Sequence, residues 1–457
     1  MPIRPQNIKL NATTVDILNA IRNNASANYR DYIPTAENNP DSVREIGAIL
    51  MDYPVLQNEF VSALVNRIGL VLLESKTYQN PWSVFKRGRL DMGESVEVIF
   101  TNIAKAHDYT TEEPDASPFE RNIPDIRAAF AFLNYQKYYP QTVQEEDLKL
   151  AFLSWDGVSS LIADIVNSMY TADQTDEFLV MKYMLAKALL AGRIKAVKIS
   201  TNDIKGTIGT IKSTSNKFIF QNTKFNPAGV VTNTVKEQQY IIVNSDFDAT
   251  MDVEVLAAAF NMDKAEFMGH RVLVDGFGEF DDKRLNDLFK DDPNFTPLTA
   301  EEKAALNLIP AVLLAEDWFL IFDKVFKFTE QYNSRRLYWN YFLHVWKVLG
   351  ISPFAQAASF VPGEPTVDSV TVSPAAATMY PGMSITLSVE VATDNFASKE
   401  VIWESDTEGV TVTHLGVVTV APDFERGAAD TTVTITATST FDERVFGSAT
   451  ITIPAAD

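Results

Sequence analysis

Cysteine is absent from the 457 residues. That excludes disulfides, thiolate metal ligands and cysteine nucleophiles together, so packing and hydrogen bonding must hold the chain. Histidine is scarce: His107, His270, His344 and His414 are the only four. None lies at ligand spacing from another or from a carboxylate cluster, so no zinc site is expected, and His344 reads as a satisfied core residue. No apolar run reaches the roughly 18 residues that a membrane-spanning helix needs. The first ten residues carry two basic side chains but no apolar stretch or small-residue cleavage site, so no secretory leader is expected and folding in a cytoplasm is. The G-x-S-x-G, H-E-x-x-H and dinucleotide fingerprints are missing as well. No catalytic residue, cofactor or metal ligand is assigned. Positive charge is short too, 39 Lys and Arg against 60 Asp and Glu, for a net −21. Such a chain repels phosphate backbones on average, which argues against a general nucleic-acid binder. Solubility alone explains the sign.

What is present reads as a multidomain α+β chain. The length exceeds one ordinary core, and a mean hydropathy of −0.05 is that of a folded globular protein. Residues up to about 45 are polar and broken, with one short amphipathic helix around Val15, Leu18 and Ile21; they read as an arm. Leu56, Phe60, Leu64 and Ile68 repeat in steps of four and predict a second helix. Val96, Val98 and Phe100 alternate with Glu97, Ile99 and Thr101, as in a half-buried strand. With an aromatic-rich partner at Ile126 to Tyr139 they predict a long two-stranded excursion, which needs another surface to lie on because a lone hairpin buries too little.

Thr142 and Glu145 have the spacing of a capping box and predict the start of a long helix, broken near Gly157. Another helix is expected over about Thr175 to Ala191, closed by Gly192. Tyr240 to Val243 and Trp318 to Phe322 read as strands, Asp252 as a helix cap, and Thr299 with Glu302 as a second capping box. Leu337 to Val348 carries large residues on both faces, so both should be covered. Beyond Phe360 the composition shifts. Val361-Pro362-Gly363-Glu364-Pro365 predicts a linker, followed by short strands at Ser369 to Val372, Ile385 to Val391, Val401 to Glu404, Val417 to Val420, Thr432 to Thr438 and Ala449 to Ile453. That rhythm is an immunoglobulin-like β-sandwich.

Three constellations invite a chemical reading. Gly206, Gly209, Lys212 and Ser213 look faintly like a phosphate loop, but Ile211 stands where the pattern needs glycine; a flexible loop is expected. Asp246, Asp248, Asp252 and Glu254 form an acidic cluster that capping and solvation explain as well as a cation does. Lys86, Arg87 and Arg89, with Gly88 and Gly93, make a basic turn that suits an acidic neighbour or simply solvent.

Several strings carry a family resemblance. Asp16-Ile17-Leu18-Asn19-Ala20-Ile21-Arg22-Asn23, Arg67-Ile68-Gly69-Leu70-Val71, Phe260-Asn261-Met262 and Leu337-Tyr338-Trp339-Asn340-Tyr341 resemble the major head protein of the phi-twenty-nine-type podophages. So do Ala151-Phe152-Leu153-Ser154-Trp155 and Val274-Asp275-Gly276-Phe277, in the same order along most of the chain. Val370-Thr371-Val372-Ser373-Pro374, Val401-Ile402-Trp403, Gly416-Val417-Val418-Thr419 and Gly447-Ser448-Ala449-Thr450-Ile451 resemble bacterial Ig-like group 2 domains.

The resemblance implies the tailed-phage major-capsid fold: an N-terminal arm at 1–45, a body at 46–362 and the Ig-like domain at 366–457. Within the body it implies an extended loop at about 82–144, a spine helix at about 145–170 and an axial domain at about 195–330. It further implies a shell subunit forming hexamers and pentamers, with scaffolding protein and portal as assembly partners. The shell would enclose double-stranded DNA without specific recognition, assemble in the host cytoplasm, involve no membrane, and carry the Ig-like domain on its outer surface, where it either links neighbours or touches the host surface. Trp82, Lys86, Arg87, Arg89 and Glu94 are the candidate intersubunit contacts. Two other readings stand beside this one: an adhesin or virion fibre binding through its Ig-like domain, which predicts a secretion or attachment signal, and an enzyme with an appended carbohydrate-binding sandwich, which predicts convergent carboxylates.

Overall fold

A computed structural model describes residues 14–63, 78–91, 93–104, 106, 126–144, 157–200, 203–256, 270–293 and 295–455. Its helices are α1 (Thr14–Asn24), α2 (Ala27–Tyr32), α3 (Pro40–Asp52), α4 (Pro54–Ala63), α5 (Gly157–Leu190), α6 (Ile204–Phe218), α7 (Ser245–Leu256), α8 (Asp282–Phe289) and α9 (Ala300–Asn307). The body's strands are β1 (Lys86–Arg89), β2 (Val96–Thr101), β3 (Ile126–Ala131), β4 (Leu133–Gln144), β5 (Lys195–Ile199), β6 (Gln239–Asn244), β7 (Arg271–Val274), β8 (Ala311–Ala315), β9 (Phe319–Asn333), β10 (Tyr338–Ile351) and β11 (Ala357–Pro362). By contacts the chain divides into two compact units. One comprises Met1–Val96, Ala131–Val180 and Leu320–Gly350, the other Glu97–Phe130, Met181–Phe319 and Ile351–Asp457.

The first unit is built on a sheet of order β1-β9-β10-β4. Every second residue of β10 from Trp339 to Val345 is buried, and this face packs with α1 to α4 into one core that includes Ile17, Ile46, Leu50 and Phe60. Residues 14–45, where one short helix is expected, instead contribute to three. Their sparse apolar residues line up on the inner faces of these helices, α3 being started by the Asn39 side chain, which accepts from the Asp41 and Ser42 amides. Leu64 and Ile68 of the helix expected here lie outside the described residues.

Two helix expectations are corrected. Thr142 does not cap a helix: it sits in β4 opposite Asn340, to which its hydroxyl donates at 2.7 Å, because the sheet register of β4 against β10 outweighs a local capping pattern. Glu145 lies outside the described residues. The long helix expected to run past Gly157 to about 170 and the separate helix expected over about Thr175 to Ala191 are one helix from Gly157 onward, the 34-residue α5. Gly192 closes α5 with φ +68°, and its amide and that of Arg193 turn back to the carbonyls of Leu189 and Ala188.

The second unit is organised on the sheet β5-β11-β8-β6-β7. All five residues of β8 are buried, as a strand covered on both faces requires. The glycine-marked segment expected as a loop is the helix α6: Asp203 accepts from the Gly206 amide and starts it, and Ile211 and Phe218 fall on its inner face. Asp252 lies inside α7, whose first turn is instead bonded by Asn244 to the Asp246 amide. The Thr299 and Glu302 capping box is present in both directions at the start of α9. β2 pairs with β3, and the inner face of β2 rests on its own unit through Phe100, stacked on Phe354 at 5.6 Å.

The same unit ends in the sandwich: β12 (Thr366–Ser373), β13 (Ala376–Thr378), β14 (Ser384–Thr386), β15 (Ser388–Asp394), β16 (Val401–Ser405), β17 (Val410–Val412), β18 (Val417–Val420), β19 (Thr431–Ser439) and β20 (Phe446–Ile453). A four-stranded sheet β13-β20-β19-β16 encloses a core with the β12-β15 pair and the β14-β18-β17 sheet. The stretch Ile385 to Val391, expected as one strand, changes sheets at buried Leu387, whose amide bonds the Gly416 carbonyl. Val361 and Pro362 belong to β11, paired with Lys198 and Ile199, so the connection to β12 is only Gly363-Glu364-Pro365. The sandwich is also seated. Lys195 Nζ lies 3.9 Å from the centre of the Phe441 ring, and Lys198 pairs with Glu364 at 2.5 Å. A Cβ on Gly192 would meet the Ala397 carbonyl at 2.4 Å.

Candidate functional site

The five candidate contact residues separate into two groups. Trp82 is fully buried, with its ring edge-on to Phe85 and to Phe178 of α5, the latter at 5.4 Å. Lys86 is turned inward, pairing with Glu177 at 3.0 Å and Asp323 at 2.9 Å. Neither is available to a neighbour, which corrects the expectation for both. The reason is that residues 86–89 are no turn but β1, paired parallel with β9. Strand alternation and a register shift between Lys86 and Gly88 send Lys86 inward and leave Arg87 and Arg89 outside. Among the described residues neither arginine has an ion-pair partner. Glu94 is exposed and accepts from the Asp91 amide at 2.9 Å, and its carbonyl accepts from Lys324.

Lys86 belongs to an ionic network that went unread in the sequence. Lys347 of β10 donates to Asp173 at 2.7 Å and to Glu177 at 2.5 Å, and Asn80 donates to Glu177 at 2.8 Å. Burial opposes the Lys347 charge, yet the adjacent Asp173 and Glu177 outweigh it and hold the ammonium above the usual lysine range. Burial likewise opposes charge on Glu177, but Lys347 and Lys86 keep that carboxyl below its ordinary value. Asp173 goes the other way: burial pushes it up. A signal was there to find. Lys347 continues the inward alternation Trp339, Tyr341, Leu343, Val345, so a charge was due to face the core.

The other striplike features are apolar. Ile99, Ile126 and Phe130 of the β2-β3 excursion are each more than half exposed, as is Ile103 just beyond β2. Exposed apolar residues gathered on one excursion mark an interaction surface. On the outer face of the β4-β10 pair, Tyr138, Phe342 and His344 form a row with ring centres about 6 Å apart. His344 is half-buried here, bonded to the Thr329 hydroxyl at 2.9 Å, rather than in the core.

Chemical sites fare differently. Asp248 is held by Arg271 at 2.6 Å, and the side chains of Asp252 and Glu254 lie outside the described residues, as does His107. His270 stacks on Tyr240 and His414 is exposed. Among the described residues no group of three or more His, Asp and Glu is arranged to hold a metal ion.

Comparison with known proteins agrees with this architecture. Residues 18–361 match the model of the Phi29-like phage major capsid protein family, and residues 366–453 that of the bacterial Ig-like domain (group 2). The major capsid protein of Bacillus phage B103 is 37% identical over 89% of this chain and 86% of its own. That of Bacillus phage PZA is 32% identical over 90% and 87%. Among solved structures, a chain of the Staphylococcus phage Andhra capsid superposes with a TM-score of 0.50 at 12% identity, over 63% of this chain and 85% of that one; it speaks for the fold. The fold is thus the α+β tailed-phage capsid fold followed by an Ig-like sandwich, and the role is structural rather than enzymatic, in the virion shell. The chain belongs to the Phi29-like phage major capsid protein family.

Proposed function

We propose that this chain builds the closed head as hexamers and pentamers around double-stranded DNA, with the outer face of the β2-β3 excursion laid on a neighbouring copy. The observation that carries this reading is the exposure of Ile99 and Ile126 on a strand pair whose Phe100 already rests on Phe354. Each large apolar side chain covered by a neighbour contributes about 1.5–3 kcal/mol. A few per subunit, repeated around a ring, stabilise a lattice that no single contact would hold. Arg87, Arg89 and Glu94 serve as polar contacts to neighbouring copies. The arm lies within residues 1–45, the extended loop within 82–144 and the axial domain within 195–330, and assembly with scaffolding protein and portal takes place in the host cytoplasm. The net −21 lets packaged DNA slide past the wall without adhering. The Ig-like sandwich faces outward, where it meets the host surface.

Co-expression with the phage's scaffolding protein, followed by negative-stain microscopy, tests the reading. Closed shells are expected from the unaltered chain, and monomers of unchanged thermal stability from Ile99→Glu with Ile126→Glu. Shells that form normally from the double variant would remove the excursion from the interface; no shells or capsomers from the unaltered chain would sink the reading as a whole.

A further inference from the structure

The ionic network has the composition of a reaction rather than of a simple ion pair. Asp173 and Glu177 stand one turn apart on α5, hence on one face, and β10 delivers Lys347 between them. The Lys347 ammonium lies 2.7 Å from Asp173 Oδ1 and 2.5 Å from Glu177 Oε2, with the three side chains 1%, 2% and 0% exposed. The carboxyl carbon of Asp173 is therefore one bond beyond the oxygen that the nitrogen already touches. The other Glu177 oxygen is held by Asn80, whose own side-chain oxygen accepts from the amide of buried Trp82. Around this point two lysines, Lys86 and Lys347, meet three carboxylates, Asp173, Glu177 and Asp323. One carboxyl is in excess of the available positive charge. Among the described residues Asp173 has no second lysine within ion-pair distance, and it is the group that burial favours in its protonated form. A neutral carboxylic acid, an amine and an ionised carboxylate touching that amine are the reactants for an amide.

We propose that Lys347 and Asp173 are joined by an intramolecular isopeptide bond, formed with Glu177 as the proton carrier. Glu177 accepts one proton from the Lys347 ammonium, an uphill transfer because the neighbouring charges hold that ammonium above and this carboxyl below their ordinary values, and the freed amine attacks Cγ of the protonated Asp173. Glu177 then delivers that proton to the departing hydroxyl and takes up the second proton from the nitrogen. A C–N bond forms, a C–O bond breaks, and one water leaves; the balance is one amide, one water and a protonated Glu177. No oxidant, reductant or metal takes part. The fold supplies the proximity: groups held in place on a helix and a strand react as if at very high local concentration, on the order of 10⁵ M or more. The product also removes the ammonium charge and the Glu177 charge together from a buried site, where each is costly. The bond ties α5 to β10, clamping the first unit's sheet to its longest helix.

Intact-mass spectrometry of the full-length chain, denatured after purification from shells or expressing cells, reads the outcome directly. The expected mass is one water below that of the sequence, and digestion is expected to yield a branched peptide joining the segments that contain Asp173 and Lys347. Glu177→Gln and Lys347→Arg are each expected to restore the full mass. Asp173→Asn is expected to end at the same mass as the unaltered chain, because ammonia leaves in place of water. An unaltered chain at full sequence mass, with the two segments recovered as separate linear peptides, overturns the proposal whatever the variants do. A water deficit that survives Lys347→Arg overturns the assignment to this pair, and a branched peptide that survives Glu177→Gln overturns the role of Glu177.

Discussion

At the scale of single residues, burial decides what a side chain is for. Trp82 and Arg87 are five positions apart, and both stand as candidate contacts in the sequence. The structure gives one to the core and the other to solvent. Trp82→Ala is expected to cost about 3–5 kcal/mol in chemical denaturation, because it empties a site among rings. Arg87→Glu with Arg89→Glu is expected to leave unfolding within about 0.5 kcal/mol per site of the parent while slowing capsomer formation in light scattering. Lys182 carries a pH signature. Its ammonium is bonded to Asp275 at 2.5 Å and to the Glu279 carbonyl, yet burial draws its pKa below the ordinary 10.5. The unfolded chain then binds this proton more tightly than the folded one, so stability from this group rises as pH climbs from the lowered value toward 10.5 and is level beyond it. Thermal melts of the parent and Lys182→Met across the alkaline range are expected to show that rise in the parent alone.

At the scale of elements, what was legible depended on whether neighbours agreed with local pattern. The alternation of β2, β10 and β19 and the capping box of α9 read correctly because each pattern is completed within its own segment. Thr142 was misread because its partner, Asn340, lies 198 positions away, and nothing local announces a register with a distant strand. The helix α6 was missed because its glycines suggested a loop, while the signal that makes it a helix is the Asp203 cap and two inward residues. The inward charge of Lys347 could have been read from alternation, but its partners on α5 could not. The junction at the end of α5 gives a test at this scale. Gly192 has a left-handed backbone and no room for a Cβ. Gly192→Val is expected to cost about 1–3 kcal/mol and to unseat the sandwich, read as faster protease cleavage at Gly363-Glu364-Pro365 with the two fragments otherwise folded.

At the scale of the whole molecule, charge sets the terms of association. Subunits of net −21 repel one another, and salt shortens that repulsion to about 10 Å at 0.1 M. The protein concentration at which shells appear is therefore expected to fall as monovalent salt is raised, measured by sedimentation. A threshold that rises with salt would instead put attractive pairs through Arg87 and Arg89 in control of assembly.

The three-residue connection between β11 and β12 has a consequence for anything that meets the sandwich. A domain so short-tethered and seated cannot wander, so every copy in a shell is carried at the spacing of the lattice beneath it. Whatever faint affinity one exposed turn has for a repeating surface is then multiplied by simultaneous engagement, on the order of 10²–10⁴ where the spacings match and not at all where they do not. Such a head would measure the period of a surface as well as its chemistry.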